Sequence, residues 1–208
     1  MKIFLDNRTI DFVLAPPENP LATDLMIEYQ SVEKLKEAWS DFIRYEKFRK
    51  LVIVEPESPP QNEPAAFDAF VSLFKLIEAA GGLVKNENGA YLFIHRLGFW
   101  DLPKGKIDKK DARSARTAAI REVMEETGLK KVVITRELPA TWHIYLAKER
   151  WVLKKTHWFE MEADSHQTLT PETREGIFLV KWTSPDAIHC ILSHTYDSIR
   201  GLLLEVLF

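Results

Sequence analysis

In residues 101–129, the second half reads as a helix that stops at Gly128, a residue type suited to the left-handed closing position. On a wheel of about 100° per residue, Glu122, Glu125 and Glu126 share an arc of about 100°. Ile120, Val123 and Met124 take the opposite side, where a core would sit, and Ala115 and Ala118 leave room on the acidic side one turn earlier. Like charges at these spacings cost a helix about 0.2–0.5 kcal/mol per pair. Only Glu125 has a cation at helical spacing, Arg121. Two readings stand on spacing alone: a solvated acidic face, or a face holding a hard cation such as Mg2+ through carboxylate oxygens.

At 208 residues the chain holds one large domain, or an ordinary domain with a small companion. Hydrophobic residues at 46% suffice for a core. A net charge of −3 and a pI near 6.1 argue against a general nucleic-acid surface. The single cysteine, Cys190, excludes an internal disulfide and suits a reducing cytoplasm. An acid arrives at Asp6, too early for a signal peptide, and no apolar run approaches the ~20 residues of a membrane span. A soluble, cytoplasmic protein with no membrane partner is expected.

Along the chain, residues 2–5 and 9–14 read as a hairpin. Residues 32–48 read as a helix capped by Ser31 with Leu35, Trp39, Phe42, Ile43 and Phe48 as its stripe, and 51–54 as a buried strand. The proline-rich segment 55–64 has linker composition and sets a domain boundary. Residues 1–55 then form a small ββαβ unit, a docking or dimerisation module, the latter implying a homodimer. Residues 65–80 read as a helix ended by Gly81-Gly82, and 82–85 and 90–95 as a hairpin about Asn88-Gly89. A strand at 132–138, a second hairpin at 141–146 and 151–162, a strand at 177–182 and a helix over 184–204, opened by Ser184-Pro185, complete the chain. Read from pattern alone, residues 65–208 are α/β with hairpins.

Gly105 followed by Arg121-Glu-Val-Met-Glu-Glu-Thr-Gly-Leu129 resembles the Nudix box, G-x5-E-x7-R-E-U-x-E-E-x-G-U with U aliphatic. The C-terminal half matches at every specified position. The N-terminal half departs: after five intervening residues Gly105 is followed by Asp111 where the family has Glu, and nine residues separate it from Arg121. Counting back from Arg121 puts Arg113 in that place instead, so a two-residue insertion enters between loop and helix and leaves the role of Asp111 open. The resemblance covers 65–208 and implies an α/β/α sandwich with a mixed β-sheet, behind the ββαβ N-terminal domain.

The resemblance also implies chemistry: water attack on a nucleoside diphosphate derivative, with Mg2+ or Mn2+ as cofactor. The metal ligands are then the Gly105 carbonyl with Glu122, Glu125 and Glu126, and Arg121 orients a box glutamate. The general base comes from 171–175, Glu175 ahead of Glu172. Lys104, where many boxes have a second glycine, and Lys154-Lys155-Thr156-His157 resemble the diadenosine polyphosphate hydrolases. That likeness makes Lys104, Lys106 and Lys155 candidates for distal phosphates, Lys154 being the alternative on the other strand face. Tyr145 is the candidate for base stacking among Trp142, Trp151 and Trp158, which read as core. Two rival functions remain, an RNA 5′-pyrophosphohydrolase and a nucleotide-sensing regulator. Acidic net charge and a full set of box glutamates weigh against them respectively.

Overall fold

The computed structural model describes residues 1–58, 60–112 and 114–208, and the chain divides into two compact units. The first comprises residues 1–76 with 142–154. Strands β1 (Lys2–Leu5) and β2 (Arg8–Val13) form the expected hairpin, with Ile3 opposite Ile10. Strand β3 (Asp24–Glu28) then leads through helix α1 (Val32–Arg44) to β4 (Lys50–Val54), and β4 lies parallel to both β2 and β3. The order is therefore βββαβ, not ββαβ. β3 escaped the pattern because its side chains, half-buried or exposed, show no clean alternation.

Ser31 caps α1 as expected, accepting from the Lys34 amide. Leu35 and Phe42 are fully buried against Ile3, Ile10, Leu51, Ile53 and Phe70. Phe70 belongs to helix α2 (Ala66–Ser72), and Trp142, Ile144 and Leu153 complete the same core. The compact unit thus extends beyond residues 1–55, because α2 and the 142–154 hairpin segment bury their aromatics with it. Phe12 meets Phe67 at 5.2 Å, and Trp39 meets Trp151 at 5.5 Å. A protease that cuts within 56–64 is accordingly expected to leave two fragments that co-elute under native conditions. Separation of the pieces on gel filtration would refute this packing.

The second unit comprises residues 77–141 and 155–208. Its strands are β5 (Lys75–Lys85), β6 (Tyr91–Arg96), β7 (Phe99–Asp101), β8 (Lys104–Lys106), β9 (Val133–Ala147), β10 (Arg150–Glu162) and β11 (Ile177–Thr183). They run in the order β11-β6-β5-β10-β9, with β7 on β6 and β8 on β5. β9 and β10 are the strands whose far ends enter the first unit. Alternation decides the layers. Ala80, Val84, Leu92 and Ile94 bury against Ala118, Ala119 and Val123 of helix α3 (Ala115–Thr127). Leu83, Tyr91 and Phe93 point the other way, onto helices α4 (Ile188–Leu192) and α5 (Asp197–Leu207). An α/β/α sandwich results.

Three sequence expectations change here. Residues 65–80 are not one helix: α2 ends at Ser72 and β5 begins at Lys75. Gly81 and Gly82 lie inside β5, where a Cβ on Gly81 would sit 2.4 Å from the Pro103 carbonyl and one on Gly82 2.8 Å from Met161 Sδ. They admit close neighbours and do not end a helix. The C-terminal helix is two pieces, because Trp100 donates its amide to the His194 carbonyl and accepts at its own carbonyl from Thr195 Oγ1. Residues 132–146 carry no break either; β9 runs unbroken through Pro139.

Candidate active site

Helix α3 starts at Ser114, whose hydroxyl accepts from the Thr117 amide, and ends at Gly128 with φ 79°. Its acidic face is not solvated. Glu126 is fully buried, Glu122 is 6% exposed, and only Glu125 is open. Buried carboxylates need partners. Arg121 Nη1 donates to Glu122 Oε1 at 2.6 Å and to Glu125 Oε2 at 2.8 Å. Glu126 lies 3.6 Å from Nη1 of Arg96, on β6. The lack of opposite charge for Glu122 and Glu126 therefore holds only at helical spacing; the adjacent Arg121 and a strand arginine supply it.

The remaining nitrogens of Arg121 settle Asp111. Nε and Nη2 hold its two oxygens at 2.7 and 2.8 Å, and Nη2 also donates to the Lys106 carbonyl at 3.0 Å. The inserted residues form a 3-10 turn, Lys109–Asp111, closed by Ala112 at φ 49°. That turn buries Asp111 to 1% exposure beside Arg121, and the Asp108 amide donates to it at 2.9 Å. The hydrogen bonds from Arg121 bring its carboxyl down to about 2. Arg121 itself is pushed up, first by the bonds to Asp111. Arg113, the alternative for this box position, lies outside the described residues.

Gly105 sits in β8, paired with Ala80. A Cβ there would fall 2.0 Å from the Glu122 carboxyl carbon, so the absent side chain is the seat of that carboxylate. Next to it the Lys104 amide donates to Glu126 Oε2 at 2.9 Å. The Lys104 ammonium, the candidate for a distal phosphate, is ion-paired with Asp101. Asp101 is 3% exposed and its charge requires that partner. Lys106 is exposed and Lys155 half-buried on β10. Tyr145 belongs to the first compact unit, where its ring packs on His143 at 5.7 Å.

The loop before β11 is fastened to the end of α3, with Thr170 N–H donating to the Thr127 carbonyl at 2.8 Å and Glu172 N–H to that of Glu126 at 3.3 Å. It closes in a 3-10 turn, Thr173–Glu175, which Glu172 caps by accepting from the Arg174 amide. Glu175 is left facing out, its Oε2 3.7 Å from Arg96 Nη1. Arg96 therefore stands between Glu126 and Glu175. No local spacing links residues 96, 126 and 175, and sequence reasoning passed over Arg96.

Glu126 Oε1 is buried and accepts no hydrogen bond. Burial pushes the Glu126 carboxyl up to about 7 and that of Glu122 upward as well. A buried carboxylate oxygen that accepts no hydrogen bond, a second carboxylate seated on a glycine and a third, exposed one form an oxygen-only donor set. Such a set fits a hard divalent cation. A separate exposed group, Glu87, Asp164 and His166, has its ligand atoms within 4.8 Å of one another among the described residues, and shares no residue with this set.

The model of the NUDIX domain matches residues 75–204, well over half of the chain. The chain belongs to the Nudix hydrolase family. As a Nudix hydrolase it is an enzyme acting on phosphoanhydride bonds. Among solved structures, a C. elegans Ap4A hydrolase is 22% identical, with a TM-score of 0.47, over 62% of this chain and 93% of its own. A MutT protein from Methanosarcina mazei Go1 is 22% identical, with a TM-score of 0.48, over 64% of this chain and 93% of its own. The NUDIX domain of Shewanella oneidensis NrtR, complexed with ADP ribose, is 16% identical, with a TM-score of 0.48, over 66% of this chain and 92% of its own.

Proposed function

We propose that this Nudix hydrolase is a Mg2+- or Mn2+-dependent pyrophosphohydrolase of nucleoside diphosphate derivatives, with dinucleoside polyphosphates as the favoured substrates. The observation that carries the metal is the buried Glu126 Oε1, which accepts no hydrogen bond among the described residues and meets only the Arg96 charge at 3.6 Å, together with the Glu122 carboxylate seated on Gly105. Glu122, Glu125, Glu126 and the Gly105 carbonyl would hold the ion, which supplies neutralisation of phosphate charge and a more acidic bound water. Arg121 fixes the direction of Glu122 and Glu125. Glu175, exposed and aligned by Arg96, removes the proton of the attacking water. Exposed Lys106 and half-buried Lys155 face the outer phosphates, while Lys104 contributes its charge from its place against Asp101. A cytoplasmic setting fits this substrate class.

The test is a panel of dinucleoside polyphosphates, nucleoside triphosphates and nucleotide sugars with Mg2+ and with Mn2+, products resolved by ion-exchange chromatography. Metal-dependent release of nucleotides, fastest from the dinucleoside polyphosphates, is the expected result. Metal-independent turnover, or none with any compound, would remove the proposal.

A further inference from the structure

Beside the carboxylates lies an aromatic pair that the chemistry above does not use. Phe99 opens β7, and Tyr196 immediately precedes α5; their ring centroids lie 4.9 Å apart with the planes tilted by 31°. Both stay open to solvent, Phe99 at 44% and Tyr196 at 38%. Strand geometry places them. Arg96 and Phe99 are direct partners across the β6–β7 hairpin, as are Ile94 and Asp101. Directly opposed residues share a sheet face, as do residues two apart. Arg96, Phe99 and Asp101 therefore leave one face, the face on which Ile94 packs with α3. From it Arg96 reaches Glu126 and Glu175, and Asp101 holds Lys104.

Tyr196 is pinned beside Phe99 by backbone. The Trp100 amide donates to the His194 carbonyl at 2.9 Å and Thr195 Oγ1 to the Trp100 carbonyl at 2.7 Å. Burial and then the Asp101 charge raise the Tyr196 hydroxyl, so that group lies in the field of the same cluster. Two exposed rings held rigid, with cationic Arg96 on the face of Phe99 and Lys104 held by Asp101, suit one ligand chemistry: a flat π system attached to phosphate. Stacking gives affinity without choosing among bases, because every base has a π-face.

We propose that Phe99 and Tyr196 form the base-stacking platform for the nucleoside of the substrate, the role that sequence reasoning gave to Tyr145. This deepens the nucleotide-hydrolase reading and rests on it. The test is equilibrium binding of AMP and of ribose 5-phosphate, the same sugar phosphate without a base, to the metal-free full chain by calorimetry. Wild type is expected to prefer AMP by about tenfold to a hundredfold. Tyr196→Ala and Phe99→Leu should abolish the preference while leaving the affinity for ribose 5-phosphate unchanged, and Tyr196→Phe should keep it. Equal binding of the two probes by wild type, or a preference that survives Tyr196→Ala, overturns the platform. If the hydrolysis panel fails while the base preference vanishes with Tyr196, the platform stands and the hydrolytic reading falls.

Discussion

Glu126→Gln is expected to lower kcat by more than about 10²-fold, a loss of the size seen when a preorganised electrostatic partner is removed, and yet to stabilise the metal-free protein above pH 7. The two effects have one origin. Glu126 is fully buried, its Oε1 accepts no hydrogen bond among the described residues, and burial pushes its carboxyl up to about 7 from an ordinary value of 4.5. Between those two values the folded state binds the proton that the unfolded chain has released. Stability is thus fully present below pH 4.5 and lost as pH rises through 7. A difference of about 2.5 pK units corresponds to roughly 3 kcal/mol. Glutamine removes the titration while its amide oxygen keeps the bond from the Lys104 amide.

Thermal melts of the metal-free proteins should therefore nearly coincide at pH 5 and separate by several degrees at pH 8, with the variant higher. Wild-type affinity for Mn2+ should climb over the same interval, since a proton and a metal compete for one oxygen. A variant that melts lower than wild type at pH 8 would show that Arg96 already neutralises the carboxylate. Turnover within a few-fold of wild type would take Glu126 out of the site.

The sequence was most readable where spacing within one element sufficed. Ser31 and Gly128 close their helices as their residue types dictate. The periodicity of α3 put the box glutamates together before any fold was known. What escaped was tertiary. Glycines 81 and 82 look like a helix stop until Pro103 and Met161 are seen against them. The helix expected over 184–204 breaks because residues 194–195 turn aside to Trp100, almost a hundred positions earlier. The ion pair of Lys104 with Asp101 is not legible either, because nothing local announces that Asp101 is buried. Arg96 was invisible for the same reason, lying on a strand while both its carboxylate partners lie elsewhere.

The second large effect concerns the inserted turn. Asp111 is buried with both oxygens on Arg121, and Arg121 in turn orients Glu122 and Glu125 and ties down the Lys106 carbonyl. Breaking one side of a buried pair leaves the other charge uncompensated, a cost of about 3 kcal/mol or more. Asp111→Asn should therefore destabilise by that order at pH 7, measured by urea denaturation. Because the Asp111 carboxyl is held down to about 2 from 3.8, its contribution is present above pH 3.8 and lost as pH falls through 2. The penalty of the substitution should shrink over that acid interval. Arg121→Lys keeps the charge but not the fork that meets Asp111 on one side and Glu122 and Glu125 on the other, so it should cost activity as well as stability. The double variant should lose much less than the sum of the two, since both single changes disrupt one network. Additive losses would mean that Asp111 caps its own turn and nothing more, and that Arg121 orients the glutamates without it.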